Sequence, residues 1–321
     1  MTVHSQSDVV LKPESLSQWR LTDPTNHHDH QIHGYFRAGQ NEETPVHFLH
    51  GNGFSALTLS GVAAGLPDSW PLILTNVPGH GGSDQPKQRM PDWQGMAASV
   101  AAALRQNLTQ LCGKATQAHG DGAVIGVGHS LGGVVTLLAA ARYPELFKRI
   151  ILLDPVLFSP EIILGQQVMR ATGVWKRSAL VRSVSRRRNS WADTDEMFAD
   201  LSQKSLYKNW QPEVLSAFVE TASKDVNGQR QLCCDPSWEG GIFGSYPRGL
   251  WHAVRSVKVP VDILVAEDSY GFIAKSARRA AKVNPAIRWQ LFPGTHCFPM
   301  EKPQSTTEKI LELLGPLPQP R

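Results

Sequence analysis

Cysteine, long apolar runs and long charged runs are all scarce in this chain of 321 residues, and each absence excludes a class of protein. None of the four cysteines (Cys112, Cys233, Cys234 and Cys297) shows zinc-ligand spacing, and the adjacent pair is poorly placed to form a disulfide. Cysteines that are few and poorly placed for disulfides favour a reducing compartment, so we expect a cytoplasmic protein. No run approaches the roughly eighteen apolar residues of a membrane helix, and residues 1–18 lack the apolar core of a signal peptide. We therefore expect no integral membrane segment.

Charge indicates no nucleic-acid partner. The net charge is +4, and the most prominent basic run is the triplet Arg186, Arg187 and Arg188. A short run of this kind is usually a solvated helix face, although with Arg182 it could also select an acidic substrate or a membrane surface.

Apolar residues make up 41% of the chain and charged residues 19%, so a core of substantial size can be buried. The length fits one domain that carries a large insertion. Short apolar or β-branched segments ending in turn residues predict the strands. They are Trp19–Leu21, Ile32–Ala38, Val46–Leu49, Leu72–Asn76, Ala123–Gly128, Ile150–Asp154, Val261–Ala266 and Ile287–Phe292.

Helix-like segments separate most of these strands from Val46 onward. This alternation predicts right-handed crossovers and an α/β fold with a mostly parallel sheet, while the two earliest strands are expected to form an antiparallel edge. Residues 156–248 carry helical rather than strand signals, and they are too numerous for a simple connection. We interpret them as an inserted helical cap between two core parts, residues 1–155 and 249–321.

One serine lies between two glycines in the pentapeptide 128–132, Gly-His-Ser-Leu-Gly. An apolar, strand-like run precedes it, and a helical pattern from Val134 to Arg142 follows. A serine at such a turn is typical of a nucleophile elbow, where side chains at the glycine positions would collide with the neighbouring strand and helix. Ser130 is therefore the candidate nucleophile of a serine hydrolase. His129 cannot reach back to Ser130 and is expected to pack locally.

Two other segments follow predicted strands, at the edge of the sheet where α/β proteins bind ligands. The glycine-rich turn 50–53 can direct a backbone N–H at a developing oxyanion. We select Asn52 as the donor, with Gly53 as the alternative, and Leu131 at the start of a helix as the second donor. His296 follows the last predicted strand and is the best-placed general base among 12 histidines.

With these parts in this order, the chain resembles the α/β-hydrolase superfamily. The stretch 76–84, Asn-Val-Pro-Gly-His-Gly-Gly-Ser-Asp, is similar to the D-x-P-G-H-G-x-S segment of that family, with Asn76 in place of Asp. Residues 48–53 resemble its oxyanion-loop motif, and the residues from His296 to Pro303 match its H-x-x-P-x-E-x-P pattern. The resemblance implies an α/β-hydrolase fold. Serine at the nucleophile position argues against dehalogenase and epoxide-hydrolase chemistry.

The acid is where the sequence departs from the family. After Val265 the family usually reads G-E-x-D, but here residues 266–269 read Ala-Glu-Asp-Ser, so Ser269 stands at the position of the final Asp. Asp268, one residue earlier, could reach His296 after a modest change in the turn. Asp154 is the alternative acid, since some members carry theirs after the strand that follows the elbow helix; otherwise it is a turn residue. We favour Asp268 as the group that orients His296.

Aromatic residues are dense in the expected cap. They are Phe158, Trp175, Trp191, Phe198, Trp210, Phe218, Trp238 and Phe243. Together they favour a lid over an apolar substrate, although each one alone is more typical of ordinary helix packing.

Histidines cluster near the N-terminus, in a segment expected to be an exposed hairpin. They are His27, His28, His30 and His33, with Asp29 among them. These residue types can bind a divalent metal, but their distance in sequence from Ser130 leads us to expect no metal site and no cofactor.

The sequence thus predicts a carboxylic-ester hydrolase that acts on a small or medium, apolar acyl substrate through an acyl-enzyme on Ser130. Thioester hydrolysis and carbon–carbon bond hydrolysis use the same constellation, and cofactor-free peroxidation by an acyl serine is a further possibility. The contrasting alternative is a binding protein that uses the pocket as a receptor, because the acid is displaced.

Overall fold

One large β-sheet with helices on both faces forms the centre of the fold. A computed structural model describes residues 10–25, 30–40, 43–87, 91–112 and 124–315, without the side chain of Cys112. The strands are β1 (Ser17–Thr22), β2 (Gln31–Arg37), β3 (Val46–Leu49), β4 (Leu72–Thr75), β5 (Val124–His129), β6 (Phe147–Leu153), β7 (Ser190–Trp191), β8 (Ser223–Val226), β9 (Gln229–Leu232), β10 (Val261–Asp268) and β11 (Ile287–Thr295). The α-helices are α1 (Ser60–Ala64), α2 (Trp93–Cys112), α3 (Leu131–Arg142), α4 (Pro160–Ala171), α5 (Ala179–Ser185), α6 (Thr194–Ser202), α7 (Pro212–Thr221), α8 (Pro236–Phe243), α9 (Leu250–Ser256), α10 (Gly271–Val283), α11 (Phe298–Glu301) and α12 (Pro303–Leu314).

Eight strands form the main sheet, in the order β1-β2-β4-β3-β5-β6-β10-β11. Strand β2 pairs antiparallel with β1 and with β4, and the other neighbours are parallel. The expected α/β fold with a mostly parallel sheet and an antiparallel edge is confirmed. Strand β3 has the predicted bounds, whereas β11 runs past the predicted Phe292 to Thr295 and so brings His296 directly to the strand end.

The central strands are mostly apolar because both faces of the sheet are covered. Successive side chains of a strand point to opposite faces. In β6, Ile150 and Leu152 therefore pack in one core cluster, and Ile151 and Leu153 pack in the other. All four side chains are fully buried.

The parallel register brings the carboxyl ends of the strands to one edge. Leu49 of β3 lies opposite Gly128 of β5, and Gly128 lies opposite Leu152 of β6. Beyond the strand ends, the Ser130 N–H donates to the Leu153 carbonyl at 3.0 Å. The loops that follow β3, β5, β6, β10 and β11 are held together at this edge, which is where the sequence predicts the site.

Residues 156–248 form helices α4 to α8 and a small sheet, in the order β7-β9-β8. The expectation of helices without strands is wrong for this sheet. Strands β8 and β9 form a hairpin in which Val226 pairs with Gln229 across the two-residue turn Asn227-Gly228. Both turn residues have positive φ, 54° and 78°. An Asn-Gly pair at such a turn is a strong hairpin signal. The hairpin was not predicted, because its two strands are short and polar.

Among the described helices, none is long and apolar enough to cross a membrane. Three cysteines have described side chains, and all three are free thiols: Cys233 is half-buried, while Cys234 and Cys297 are buried.

Candidate active site

Ser130 lies on a strained turn between β5 and α3. Its backbone has φ 54° and ψ −114°, a conformation that a residue with a side chain rarely adopts. The helix begins at the next residue, Leu131. Such a turn lifts the serine hydroxyl out of the sheet, as a nucleophile elbow requires.

The two glycines that flank Ser130 permit close packing of this turn. A Cβ on Gly132 would lie 2.3 Å from the Leu49 carbonyl oxygen of β3. A Cβ on Gly128 would lie 2.6 Å from the Gly132 carbonyl oxygen. The neighbouring strand and helix therefore exclude side chains at both positions, as the sequence predicts.

Three polar side chains from distant parts of the chain form one hydrogen-bonded row. His296 Nε2 lies 2.9 Å from Ser130 Oγ, and His296 Nδ1 lies 2.6 Å from Asp154 Oδ2. With the carboxylate accepting from Nδ1–H, Nε2 is left as the acceptor for the serine hydroxyl. This arrangement can remove the Ser130 proton during nucleophilic attack.

Asp154 is completely buried, and its carboxylate accepts hydrogen bonds at both oxygens. Oδ1 accepts from the Ala266 N–H at 2.9 Å. Oδ2 accepts from the Ser269 hydroxyl as well as from His296. These donors compensate the lost hydration of the charge and fix the carboxylate in the plane that His296 needs.

The preference for Asp268 as the partner of His296 is corrected by this geometry. Asp268 is exposed at the end of β10, where it lies opposite Thr295 of β11. The register between β10 and β11 shifts between Ala266 and Asp268. Ser269, at the position where the family carries its Asp, instead donates to Asp154. Asp154, which the sequence analysis gives as the alternative acid, is therefore the carboxylate that lies beside His296.

His129 supports the general-base candidate without contacting Ser130 as a base. Its Nε2–H donates to the backbone carbonyl of His296 at 2.8 Å, and its ring stacks on Phe54 with the centroids 6.1 Å apart. Burial lowers the pKa of His129 to about 3, and the nearby His296 acts in the same direction. The neutral ring thus serves to hold the His296 backbone in place.

Two backbone N–H groups are available beside Ser130. Leu131 is the first residue of α3, so its N–H has no acceptor within the helix. The Asn52 N–H likewise meets no acceptor among the described residues. The turn carrying Asn52 touches the nucleophile, since a Cβ on Gly51 would lie 3.2 Å from the Ser130 Cβ. These are the two donors that the sequence selects for an oxyanion.

The alternative donor, Gly53, is not available. Its N–H donates to His80 Nε2 at 3.0 Å, and burial lowers the pKa of His80 to about 4, which keeps the ring neutral and accepting. His50 fixes the same turn: its Nδ1–H donates to the Gly51 carbonyl at 2.7 Å, and its Nε2 accepts from the Val77 N–H at 3.1 Å. The sequence contains these histidines in its motifs but gives no sign of their bonding.

An ion pair from the 156–248 segment, between the half-buried Arg187 and the buried Glu239, lies against the turn 50–53. Arg187 Nη1 is 3.1 Å and 3.0 Å from the two carboxylate oxygens of Glu239. Burial raises the pKa of Glu239, and Arg187 opposes the shift. A Cβ on Gly53 would lie 2.4 Å from Glu239 Oε1, and the Asn52 side chain donates to the Glu239 carbonyl at 3.1 Å. Sequence reasoning missed this contact, because 52 residues separate its two charges.

No group of three metal-ligating side chains occurs within the described ranges. Of the histidine cluster, His27, His28 and Asp29 lie outside the described residues. His33 has both ring nitrogens engaged: Nδ1 accepts from the Asn76 amide at 2.8 Å, and Nε2 lies 3.3 Å from Gln18 Oε1. Burial lowers the pKa of His33 to about 4. Asn76, which replaces the usual Asp of the motif, is therefore matched to a neutral histidine.

The family model described as alpha/beta hydrolase family matches residues 48–308. The chain belongs to the alpha/beta hydrolase family. Among curated proteins, uncharacterized protein Rv2715 of Mycobacterium tuberculosis is 33% identical over 125 residues, which are 38% of this chain and 33% of that protein. An uncharacterized protein of Mycobacterium bovis, Mb2734, matches equally. The match thus spans about a third of the length of these curated relatives.

Solved structures share the fold of this alpha/beta hydrolase. E-2-(acetamidomethylene)succinate hydrolase superposes with a TM-score of 0.71 at 22% identity and covers 93% of this chain and 99% of its own. The esterase Rv0045c of Mycobacterium tuberculosis has a TM-score of 0.66 at 18% identity, covering 93% and 92%. The thioesterase domain from the curacin biosynthetic pathway has a TM-score of 0.69 at 15% identity, covering 92% and 99%.

A cavity of about 520 Å³ opens beside His296 in this alpha/beta hydrolase. Leu206 and Tyr270 line it, and both are exposed. The Tyr270 ring lies 5.3 Å from the His296 ring and stacks on Phe272 at 5.9 Å. Phe272 in turn stacks on Phe158 at 5.4 Å. An aromatic wall therefore approaches the site from the side of His296.

Most other aromatic residues of the 156–248 segment pack inside the protein. Trp210 and Phe218 meet Phe54 edge to face, at 5.2 Å and 5.9 Å between ring centroids. Trp191 and Trp238 are also buried. These four side chains act as core residues, as the sequence allows for each one alone.

Proposed function

We propose that this protein is a serine hydrolase that cleaves carboxylic esters through an acyl-enzyme on Ser130. The observation that carries the proposal is the hydrogen-bonded row of Ser130, His296 and Asp154, beside two backbone N–H groups that meet no acceptor in the described part of the chain. Membership of the alpha/beta hydrolase family supports hydrolysis as the reaction class.

In the first half-reaction, Ser130 Oγ attacks the acyl carbon while its proton passes to His296 Nε2. Asp154 accepts from the Nδ1–H and stabilises the imidazolium. The N–H groups of Asn52 and Leu131 stabilise the oxyanion, each donor being worth about 10²–10³ in rate. His296 then gives its proton to the leaving alcohol, and an ester of Ser130 remains.

In the second half-reaction, water attacks that ester and gives its proton to His296. The tetrahedral intermediate uses the same two N–H donors. Its collapse releases the carboxylic acid and returns the proton to Ser130. The neutral His129, which donates to the His296 carbonyl, keeps the base in position through both steps.

Residues 156–248 serve as the cap over this site in our proposal. Four of their contacts with the core support it. The Asn52 side chain donates to the Glu239 carbonyl, and the Glu239 side chain lies against Gly53. The hydroxyls of Ser55 and Thr221 are 2.8 Å apart. Trp238 donates to the Pro78 carbonyl at 3.3 Å. Leu206 and Tyr270 supply an apolar part of the cavity wall, beside polar residues such as Lys208 and Asn209, and this part is where we place an apolar acyl group.

A fluorophosphonate probe tests the mechanism directly. It should label the wild-type protein and leave Ser130→Ala unlabelled, because only an activated serine attacks phosphorus at a useful rate. Absence of labelling in the wild type, or equal labelling of both proteins, contradicts the proposal and favours a receptor that merely binds ligands. Nitrophenyl esters of increasing chain length, assayed beside acyl-CoA thioesters, then define the substrate.

A further inference from the structure

Positive charge is concentrated in one part of the 156–248 segment. Residues 160–188 contain seven lysines and arginines and a single acidic residue, Glu161. Their net charge is +6. Because the whole chain has a net charge of +4, the rest of the chain has a net charge of −2. The triplet Arg186, Arg187 and Arg188 is therefore part of a longer basic segment.

Four of these basic side chains are exposed, with no carboxylate within 4 Å in the described part of the chain. They are Lys176, Arg177, Arg182 and Arg186. The acidic Glu161 is held at 2.9 Å by Arg279, which lies outside the stretch. The local positive charge is therefore not neutralised by its own acidic residue.

Apolar side chains are exposed in the same stretch. Five of the ten exposed large apolar residues in the described chain occur here: Leu164 62%, Val168 56%, Met169 41%, Val174 45% and Leu180 54% exposed. Helix α4 buries none of its residues. Leu164 and Val168 are one turn apart and form a stripe on one face of this helix. We call these five residues with the four unpaired basic ones the α4–α5 face.

Helices α4 and α5 also contact the rest of the 156–248 segment. Arg170 stacks on Trp175 at 3.8 Å and donates to the Gly244 carbonyl at 3.2 Å. Val181 of α5 is buried, and a Cβ on Gly240 of α8 would lie 2.2 Å from Ser185 Oγ. These contacts attach the α4–α5 region to the rest of the protein.

We propose that the α4–α5 face docks on the surface of an anionic lipid bilayer. Exposed basic and exposed apolar side chains in one short segment are the combination that binds lipid headgroups and inserts below them. Free phosphate would engage the charges and leave the apolar stripe in water. The charge complementarity selects an anionic surface, because a neutral bilayer would leave the four cations without a partner. Helix α4 begins at Pro160, so only a short segment joins this face to Asp154 of the proposed site.

Vesicle sedimentation tests the proposal on the full chain. Phosphatidylcholine vesicles that contain about one third phosphatidylglycerol should carry the protein into the pellet, and pure phosphatidylcholine vesicles should not. Raising the salt from about 0.1 M to about 1 M shortens the screening length from about 10 Å to about 3 Å and should release most of the protein.

Two variants and one control separate the contributions. The charge variant replaces the four unpaired basic residues by glutamine, and the apolar variant is Leu164→Asn with Val168→Asn and Leu180→Asn. The control removes the same charge from exposed sites of the core: Lys148→Gln, Arg255→Gln, Lys258→Gln and Lys275→Gln. The charge variant should lose at least about tenfold in partitioning, and the apolar variant should lose less but measurably. Ser130→Ala should bind as the wild type does, so binding is tested independently of hydrolysis.

Equal partitioning of the charge variant and its control overturns the proposal, as does equal binding to neutral and anionic vesicles. Self-association of the wild type that buries this face, without vesicle binding, overturns it in favour of a second copy as the partner. Circular dichroism of each variant establishes that it is folded before its binding is compared.

Discussion

The Ser269 hydroxyl and His296 Nδ1 donate to the same carboxylate oxygen of Asp154. Asp154 directly follows β6, and Ser269 directly follows β10, the neighbouring strand of the sheet. A serine thus stands where the family usually has its acid, and it hydrogen-bonds to an acid supplied by the adjacent strand.

Asp154→Asn should lower kcat/KM for a nitrophenyl ester by about 10⁴-fold, because the amide stabilises the wrong tautomer of His296. Asp268→Asn is the matched control, since this carboxylate is exposed and should leave kcat/KM within a few-fold of the wild-type value. The opposite ranking of the two variants would return the role of acid to Asp268.

Transferring the carboxylate from residue 154 to residue 269, after the neighbouring strand, should restore part of the activity that Asp154→Asn loses. In Asp154→Asn with Ser269→Asp, an acid occupies the position that is usual in the family, beside the same ring nitrogen. We expect kcat/KM to rise about tenfold or more above Asp154→Asn alone. Ser269→Asp by itself should lower activity, because two carboxylates at one site repel each other. A double variant no more active than Asp154→Asn would indicate that residue 269 cannot reach His296.

Gly53→Ala should reduce kcat by about 10²-fold, because its Cβ would lie 2.4 Å from Glu239 and displace the turn that carries the Asn52 N–H. Gly228→Ala is a matched control: its φ of 78° is close to the 76° of Gly53, but nothing lies within 4 Å of its Cβ. Both variants should lose about 1 kcal/mol of stability from the left-handed backbone. If both retain full kcat, the turn does not position a catalytic donor.

Stability should fall as the pH falls from about 6.5 toward about 4, through the buried histidines. Burial lowers the pKa of His33, His47 and His80 to about 4, that of His129 to about 3, and that of His50 strongly. In this pH range the histidines bind protons in the unfolded chain but remain neutral in the folded chain. Each group therefore contributes a slope of up to about 1.4 kcal/mol per pH unit to the free energy of unfolding.

Urea unfolding at a series of pH values measures this dependence. His47→Gln should reduce the slope, and His252→Gln, at an exposed site, serves as the control. A free energy of unfolding that stays constant from pH 7 down to about pH 5 would contradict the assignment of neutral buried rings.

Local sequence pattern predicts those parts of the proposed site that directly follow a strand. The elbow, the turn 50–53 and His296 each follow a strand that apolar runs could locate. The acid depended on a register shift in β10 between Ala266 and Asp268, which decides whether residue 268 or 269 faces Asp154. No local pattern encodes that shift. The pairing of Arg187 with Glu239 likewise joins distant elements through packing alone.

Ser130 and Asp154 are two of only three non-glycine residues with positive φ in the described chain. The backbone is therefore held in an unfavourable conformation at both residues, and the packing around them must supply the compensation. Ser130→Gly should raise the free energy of unfolding by about 1 kcal/mol while abolishing the chemistry. Under the proposed function, the nucleophile therefore carries a stability cost of about 1 kcal/mol that a glycine on the same turn would not.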